Sequence, residues 1–222
     1  MVIIFDLDDT LYDEGMFVDG GLRAVAEFGK GRFGWDPDRS FQCMKLVLKR
    51  AGRGAVFDRW LAEFGEHSQK LVQQCIQVYR YHEPQLRLFD EARALLPKIA
   101  NHPLYLVTDG HKIVQSRKIE ALKINKYFRH FYITHRHGIR HAKPSTYCFE
   151  RIKRSVRCEW SDMIYVGDNP TKDFVNLNPL SVHTVRVLTG LHREVKAPRG
   201  YDARHTIGTL DQFRKLLESL KC

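Results

Sequence analysis

Residues 2–10 read Val-Ile-Ile-Phe-Asp-Leu-Asp-Asp-Thr, a short apolar run that leads directly into acidic residues. Four consecutive apolar residues are typical of a buried strand in a parallel sheet. In open α/β sheets, ligands bind beyond the carboxyl ends of the strands, which is where Asp6 and Asp8 would lie. The two residues are two positions apart, so along an ideal strand they would share a face. The pattern therefore predicts that both carboxylates reach one pocket.

Such a pair of carboxylates indicates a particular chemistry. Two close carboxylates repel each other unless a cation joins them, and a hard divalent ion such as Mg²⁺ suits their oxygen atoms. One carboxylate could then attack as a nucleophile while the other handles a proton. The alternative is an exposed acidic turn without catalytic function, because acidic residues are common in loops.

Composition and charge narrow the possible functions. The chain has 222 residues, which suits one large domain or a core with a smaller domain. No run of eighteen apolar residues occurs, so no transmembrane helix is expected. Five cysteines without a Cys-x-x-Cys pair predict a reduced, cytoplasmic protein. The 36 basic residues exceed the 26 acidic ones but are scattered, which favours small phosphorylated anions over nucleic acid as partners.

The pattern changes along the chain and predicts two domains. Residues 14–89 show apolar residues at helical spacing and no clear strand, which predicts an all-helical insert of about four helices. Strands and helices alternate in the remainder, which predicts an α/β core, a parallel sheet with helices on both faces. We therefore assign residues 1–13 and 90–222 to the core. The expected strands after the first are residues 104–107, 131–134, 163–166 and 184–188, and the expected helices are residues 91–100, 112–123, 145–154, a short one from 171, and 209–220.

Polar residues also lie at the end of the second predicted strand and just before a later predicted helix. Thr108-Asp109-Gly110 ends the strand of residues 104–107, where a hydroxyl and backbone amides could bind a phosphate oxygen. Lys143 precedes Pro144 at the entry of a predicted helix, where a compact positive charge could pair with both a phosphate and an attacking carboxylate. A capped strand-to-helix turn and a solvated surface lysine are the alternatives.

The predicted strand of residues 163–166 ends in Gly167-Asp168, and Asp173 follows five residues later. We expect Asp168 at the carboxyl edge of the sheet and Asp173 in the first turn of a helix. There Asp173 could favour the helix dipole or orient Lys143 and the ligands of a metal. Four histidines between His130 and His141 precede Lys143, and their spacing leaves open zinc binding, a substrate-facing role or plain edge positions.

In this order, the four segments resemble the motifs of the haloacid dehalogenase (HAD) superfamily. Asp6-Leu7-Asp8-Asp9-Thr10 is similar to its first motif, Thr108-Asp109-Gly110 to its second, Lys143-Pro144 to its third and Gly167-Asp168 through Asp173 to its fourth. Asp109 departs from the usual asparagine and adds a negative charge. The resemblance implies a Rossmann-like, three-layer core with a parallel sheet, and a small all-helical cap domain at residues 14–89 that closes over small substrates.

The resemblance also implies roles for individual residues. Asp6 would be the nucleophile that forms an aspartyl-phosphate, and Asp8 would protonate the leaving oxygen and later activate water. Asp6, the backbone carbonyl of Asp8 and Asp168 would hold Mg²⁺, with Asp173 beyond these ligands. The phosphoryl group would be held by Thr108, Asp109, Gly110 and Lys143.

The predicted function is that of a Mg²⁺-dependent phosphatase acting on a small phosphomonoester, either as a monomer or as a homodimer. A phosphomutase or a dehalogenase on the same scaffold is an alternative. Asp8 argues against a dehalogenase, because that reaction has no leaving oxygen to protonate. A non-catalytic binding module is a third possibility, and the complete set of motif residues argues against it.

Overall fold

The computed structural model describes residues 1–66 and 68–220 of the chain. The chain divides into two compact units. One unit contains Met1–Glu14 and the residues from Leu86 onward, and the other is Gly15–Gln85. Among the helices of the described residues, none combines the length and the apolar character that a membrane crossing requires.

The first unit contains one parallel sheet, in which the described residues form six strands. They are β1 (Val2–Phe5), β2 (Leu104–Thr108), β3 (His130–Ile133), β4 (Met163–Gly167), β5 (His183–Val187) and β6 (His205–Ile207). Their order in the sheet is β3-β2-β1-β4-β5-β6, and every neighbouring pair is parallel. The predicted α/β fold with a parallel sheet is confirmed. The sequence analysis missed β6, a three-residue edge strand in which only Ile207 is buried.

The chain reverses direction across the sheet at β1. From β1 it proceeds outward through β2 to β3, and it then returns to β4 on the other side of β1. Loops at the carboxyl ends of β1 and its neighbours therefore diverge and leave a crevice, which is where open α/β sheets bind ligands. This topology places the residues after β1, β2 and β4 around one crevice.

Helices cover both faces of the sheet, and β1 shows why. Ile4 belongs to an apolar cluster that also contains Phe149 of a helix on one face. The side chain of Phe5 points to the other face, where its ring packs edge to face with that of Phe213 at 5.7 Å. A strand buried on both faces has to be apolar throughout, which explains the continuous run of residues 2–5.

The helices of this unit differ in detail from the predicted ones. They are α5 (Asp90–Lys98), α6 (Lys112–Ala121), α7 (Tyr147–Val156) and α8 (Phe213–Ser219). The predicted helix from Thr171 does not form. The side-chain oxygen of Asn169 instead accepts hydrogen bonds from the backbone N–H and the hydroxyl of Thr171, at 2.9 and 2.7 Å, which favours a local turn.

The described residues of the second unit form helices joined by short loops and contain no strand. Its α-helices are α1 (Glu14–Phe33), which begins at the last residue of the first unit, α2 (Pro37–Ala51), α3 (Val56–Glu63) and α4 (Gln69–Tyr81). The start of α2 follows from the local sequence, since Asp36 caps the N–H of Arg39 at 2.6 Å and Pro37 occupies the first helical position. Trp60 is completely buried in the apolar cluster of this unit.

Candidate active site

Three predicted site residues lie at the carboxyl ends of adjacent strands. Asp6 directly follows β1, Thr108 is the last residue of β2, and Asp168 directly follows β4. The backbone N–H of Asp6 continues the sheet by donating to the carbonyl of Val166 at 2.8 Å. All three side chains are buried, so the sheet itself fixes their positions. The structure thus brings together groups that are up to 162 positions apart in the sequence.

Lys143 lies among these carboxylates. Its Nζ is 2.8 Å from Oδ1 of Asp6 and 2.7 Å from Oδ1 of Asp173, and it donates a hydrogen bond to the Tyr165 hydroxyl at 2.9 Å. Burial lowers the pKa of Lys143, but Asp173 and Asp6 outweigh this effect and hold the pKa well above the usual value. The lysine therefore stays charged. It precedes α7, which begins at Tyr147 and not near residue 145 as predicted.

A divalent cation fits the carboxylates beside Lys143. Carboxylate oxygens of Asp6, Asp168 and Asp173 all lie within 4.8 Å of one another. Burial raises the pKa of Asp6 to about 8 against the lowering effect of Lys143, and Asp173 raises it further. Three buried carboxylates thus face one buried lysine, and a hard divalent ion would compensate the excess negative charge. The donor set, all oxygen, suits Mg²⁺.

Asp173 reaches this cluster from a turn and not from a helix, so its predicted position in a first helical turn is wrong. Its Oδ2 accepts the backbone N–H of Asn169 at 2.9 Å. A Cβ atom at position 167 would lie 2.6 Å from that oxygen, so Gly167 is required for the close approach. Asp173 therefore offers a carboxylate oxygen to the same cluster as Asp6 and Asp168, whereas the family resemblance implied a position beyond the ligands.

The carboxylate of Asp109 is used for internal contacts. Its Oδ1 accepts hydrogen bonds from the Thr134 hydroxyl at 2.9 Å and from the backbone N–H of Lys143 at 3.0 Å. Its Oδ2 is 3.1 Å from Nζ of Lys172. Burial raises the pKa of Asp109, but Lys143 and Lys172 more than offset this and lower it. The additional negative charge of the second motif is therefore neutralised within the protein, and only backbone groups of Asp109 and Gly110 are available to a phosphate.

Asp8 is not one of the three clustered carboxylates, and its side chain contacts α6. Its Oδ1 accepts hydrogen bonds from the Tyr12 hydroxyl at 2.6 Å and from Nζ of Lys118 at 2.7 Å. Its Oδ2 accepts one from Nε2 of Gln115 at 2.8 Å. Burial raises the pKa of Asp8, but these donors, Lys118 above all, lower it below the ordinary value.

Gln115 and Lys118 were given no role from the sequence. They are buried together with Ile119, but polar and apolar residues are spread around α6, so no apolar face of this helix marked them.

The loop after β5 also contacts the site and was missed. The side chain of His192 lies 2.7 Å from Oδ2 of Asp168, and the backbone N–H of Leu191 donates to Oδ2 of Asp9 at 3.1 Å. Arg186 holds this loop by donating to the backbone carbonyls of His192 and Val195 at 2.8 and 2.7 Å. An arginine inside the apolar pattern of β5 was the available signal.

Three of the four histidines between His130 and His141 pack against tyrosines. The ring of His141 stacks on that of Tyr147 at 3.9 Å, His130 packs edge to face with Tyr132 at 4.7 Å, and His137 lies near both tyrosine rings. Within the described part of the chain, the two groups of side chains that could hold a metal ion contain none of the four histidines. Aromatic packing therefore accounts for the placement of these three.

Comparisons with known proteins identify the family. A model described as haloacid dehalogenase-like hydrolase matches residues 1–174, so this chain belongs to that family. The glyceraldehyde 3-phosphate phosphatase of Methanocaldococcus jannaschii is 26% identical over 228 residues, an alignment that covers 99% of this chain and 97% of the relative. The protein of the same name from Pyrococcus furiosus is 26% identical over 226 residues, with 98% and 92% covered.

Solved structures show the same fold. The HAD-hydrolase YfnB of Bacillus subtilis, solved bound to magnesium, superposes with a TM-score of 0.70 at 18% identity and 97% coverage of both chains. The 2-haloacid dehalogenase of Pseudomonas syringae pv. tomato superposes with a TM-score of 0.65 at 21% identity and 98% coverage of both chains. The predicted family, fold and class of enzyme, a hydrolase, are confirmed.

Proposed function

We propose that this hydrolase is a Mg²⁺-dependent phosphatase that cleaves a small phosphomonoester through an aspartyl-phosphate on Asp6. The observation that carries the proposal is the position of Lys143, whose Nζ contacts both Asp6 and Asp173 beside Asp168. A carboxylate that attacks a phosphate dianion is repelled by it, so positive charge must lie beside both the carboxylate and the phosphoryl group. Lys143 supplies such a charge at 2.8 Å from the attacking carboxylate.

The residues of the site divide the work of the reaction. Asp6 would attack phosphorus, while Lys143, the Thr108 hydroxyl and the backbone amides after β2 would bind the phosphoryl oxygens. Mg²⁺, held by Asp6, the backbone carbonyl of Asp8 and Asp168, with Asp173 close by, would supply the remaining charge neutralisation. Asp8 is ionised in the free protein, and the negative charge of a bound phosphate dianion would raise its pKa, so that it takes up a proton on substrate binding, gives it to the leaving oxygen and later takes one from the attacking water.

Asp8 also favours a phosphatase over a dehalogenase. Three hydrogen-bond donors hold its carboxylate in a defined position, which distinguishes it from a mobile acidic residue in a loop. The release of a halide needs no proton donor, whereas an alkoxide leaving group does. A non-catalytic module would have no use for a buried lysine between carboxylates, because such an arrangement is costly to bury.

The first substrate to test is glyceraldehyde 3-phosphate, since the curated relatives carry that name and align along nearly the whole chain. We further propose that the helical unit, Gly15–Gln85, supplies the selectivity for the substrate, as caps do in this family. The cytoplasmic location and the choice between monomer and homodimer stay predictions.

A panel of phosphomonoesters tests the proposal. Glyceraldehyde 3-phosphate, glycerol 3-phosphate, phosphoglycolate and a nucleoside monophosphate would be compared by kcat/KM, with Mg²⁺ and with EDTA. The variant Asp6→Asn should release no phosphate from any of them while its melting temperature stays near that of the wild type. Asp211→Asn, at an exposed aspartate, is the matched control and should keep full activity. Full activity of Asp6→Asn would refute the assignment.

A further inference from the structure

Two buried side chains of α6 bind the carboxylate of Asp8 from different sides. Nε2 of Gln115 donates to Oδ2 at 2.8 Å, and Nζ of Lys118 donates to Oδ1 at 2.7 Å. Gln115 is 1% exposed and Lys118 is 2% exposed, whereas the side chain of Asp8 is 20% exposed. Because both oxygens have a donor from the same rigid helix, the plane of the carboxylate is fixed.

Gln115 also connects Asp8 to the phosphate-binding motif. Its Nε2 donates to the Thr108 hydroxyl oxygen at 2.6 Å in addition to Asp8. The amide nitrogen carries two hydrogens, and these two bonds use both. The Thr108 oxygen then acts as an acceptor, so its own proton can be donated to a phosphoryl oxygen. The amide of Gln115 therefore orients two groups. The Thr108 hydroxyl would bind the phosphoryl group, and the Asp8 carboxylate would act on the leaving oxygen.

Lys118, which is itself buried, forms ion pairs with two partly exposed carboxylates. Its Nζ lies 2.7 Å from Asp8 and 3.2 Å from Glu14. Replacing such a group by an apolar side chain of similar volume is often neutral or stabilising if its partners are replaced too. The orientation of the Asp8 carboxylate therefore explains a buried lysine in α6 better than stability does.

We propose that Gln115 and Lys118 are positioning residues for the acid–base step: they hold the Asp8 carboxylate and the Thr108 hydroxyl in fixed orientation toward a phosphoryl group at Asp6. The inference rests on the proposed phosphatase function. A general acid must lie within about 2.6–3.2 Å of the oxygen that it protonates. A displacement of about 1 Å can reduce the rate on the order of 100-fold.

The leaving group provides the test. An alkyl phosphate such as glycerol 3-phosphate needs a proton on its leaving oxygen, whereas p-nitrophenyl phosphate releases a stable anion without one. The constant kcat/KM includes the steps up to the release of the alcohol and so isolates this proton transfer. Lys118→Met and Gln115→Met should each lower kcat/KM for the alkyl ester roughly 10- to 100-fold more than for the aryl ester, a part of the full effect of a general acid.

Three controls separate positioning from general damage to the fold. Lys112→Met makes the same substitution at an exposed lysine of α6 and should leave kcat/KM unchanged for both esters. The rise in melting temperature on adding Mg²⁺ should be the same in all variants, because the carboxylate cluster is untouched. Gln115→Met should also weaken inhibition by inorganic phosphate several-fold through Thr108, whereas Lys118→Met should not.

The outcomes are distinct. Equal losses on both esters, or no loss on either, would overturn the inference. If Lys118→Met does not fold, Tyr12→Phe removes the other donor to Oδ1 with the ring kept and should give the same preference for the aryl ester. A wild-type protein that hydrolyses no phosphomonoester would refute the proposed function itself, which is a different result from the loss of the leaving-group effect.

Discussion

Replacing Lys143 by methionine removes, among the residues that the structure describes, the only positive charge within ion-pair distance of both Asp6 and Asp173. Methionine fills much of the volume of the lysine side chain, so the change is mainly one of charge. Two carboxylates with side-chain exposures of 6% and 0% then lose the lysine that contacts them directly. We expect the metal-free variant to be destabilised and to lose phosphatase activity.

The size of the destabilisation follows from the burial of the two carboxylates that lose their lysine. Breaking a buried ion pair by removing one partner costs about 3–5 kcal/mol. The pKa of Asp6 is already about 8, so this carboxylate takes up a proton readily once Lys143 is absent, which places the loss near the lower limit. About 3 kcal/mol corresponds to a fall in melting temperature of roughly 6–12 °C for a chain of this size.

Thermal unfolding at pH 7.5 in EDTA measures this effect, and phosphate release from the best ester of the panel measures activity. Lys45→Met is the matched control, since Lys45 pairs with Asp19 at 2.5 Å but 40% of its side chain is exposed. A surface pair of this kind contributes about 0–1 kcal/mol. If Lys143→Met melted within 2 °C of the wild type, or kept its activity, the ionic role given to Lys143 would be wrong.

Two further substitutions test the surroundings of the site. Asp109→Asn should keep activity, because only backbone groups of Asp109 face the phosphate, but should lower the free energy of unfolding at pH 7 by about 1–2 kcal/mol through the loss of charged hydrogen bonds. The pKa of Asp109 is lower in the folded protein than in the unfolded chain. The difference in free energy of unfolding between wild type and variant should therefore be complete well above pH 3.8 and vanish as the pH falls through the folded pKa. Urea titrations at several pH values measure this difference, and a value that does not change with pH would contradict the expectation. Arg186→Met leaves two loop carbonyls without their donor and should cost about 1–3 kcal/mol for each that stays buried. An unchanged urea midpoint would show that the loop does not depend on Arg186.

Much of the fold was accessible from the sequence because burial on both faces leaves a continuous apolar run. The run of residues 2–5 predicts a central strand, and the acidic residues that follow mark its carboxyl end. The same logic applies to β2 and β4, whose ends supply Thr108 and Asp168. Since parallel strands present their carboxyl ends at one edge, the convergence of these residues follows from topology.

Other parts of the site depend on contacts that a linear pattern does not encode. The turn at Asn169 replaces the predicted helix because a side-chain oxygen competes for backbone donors, and this moves Asp173 into the carboxylate cluster. The contacts of Gln115 and Lys118 with Asp8 span more than 100 residues. The residue pattern of α6 does not mark them as buried, and it does not show the partner that they bind.

The central claim is that Asp6 carries the phosphoryl group during turnover. Mixing the protein with Mg²⁺ and an excess of its best phosphomonoester, quenching in acid within milliseconds and analysing peptides by mass spectrometry tests this claim directly. The account predicts one phosphoryl group on the peptide that contains Asp6, removable by hydroxylamine and missing from Asp6→Asn. Phosphate released at full rate by Asp6→Asn, or a phosphoryl group on another residue, would contradict it.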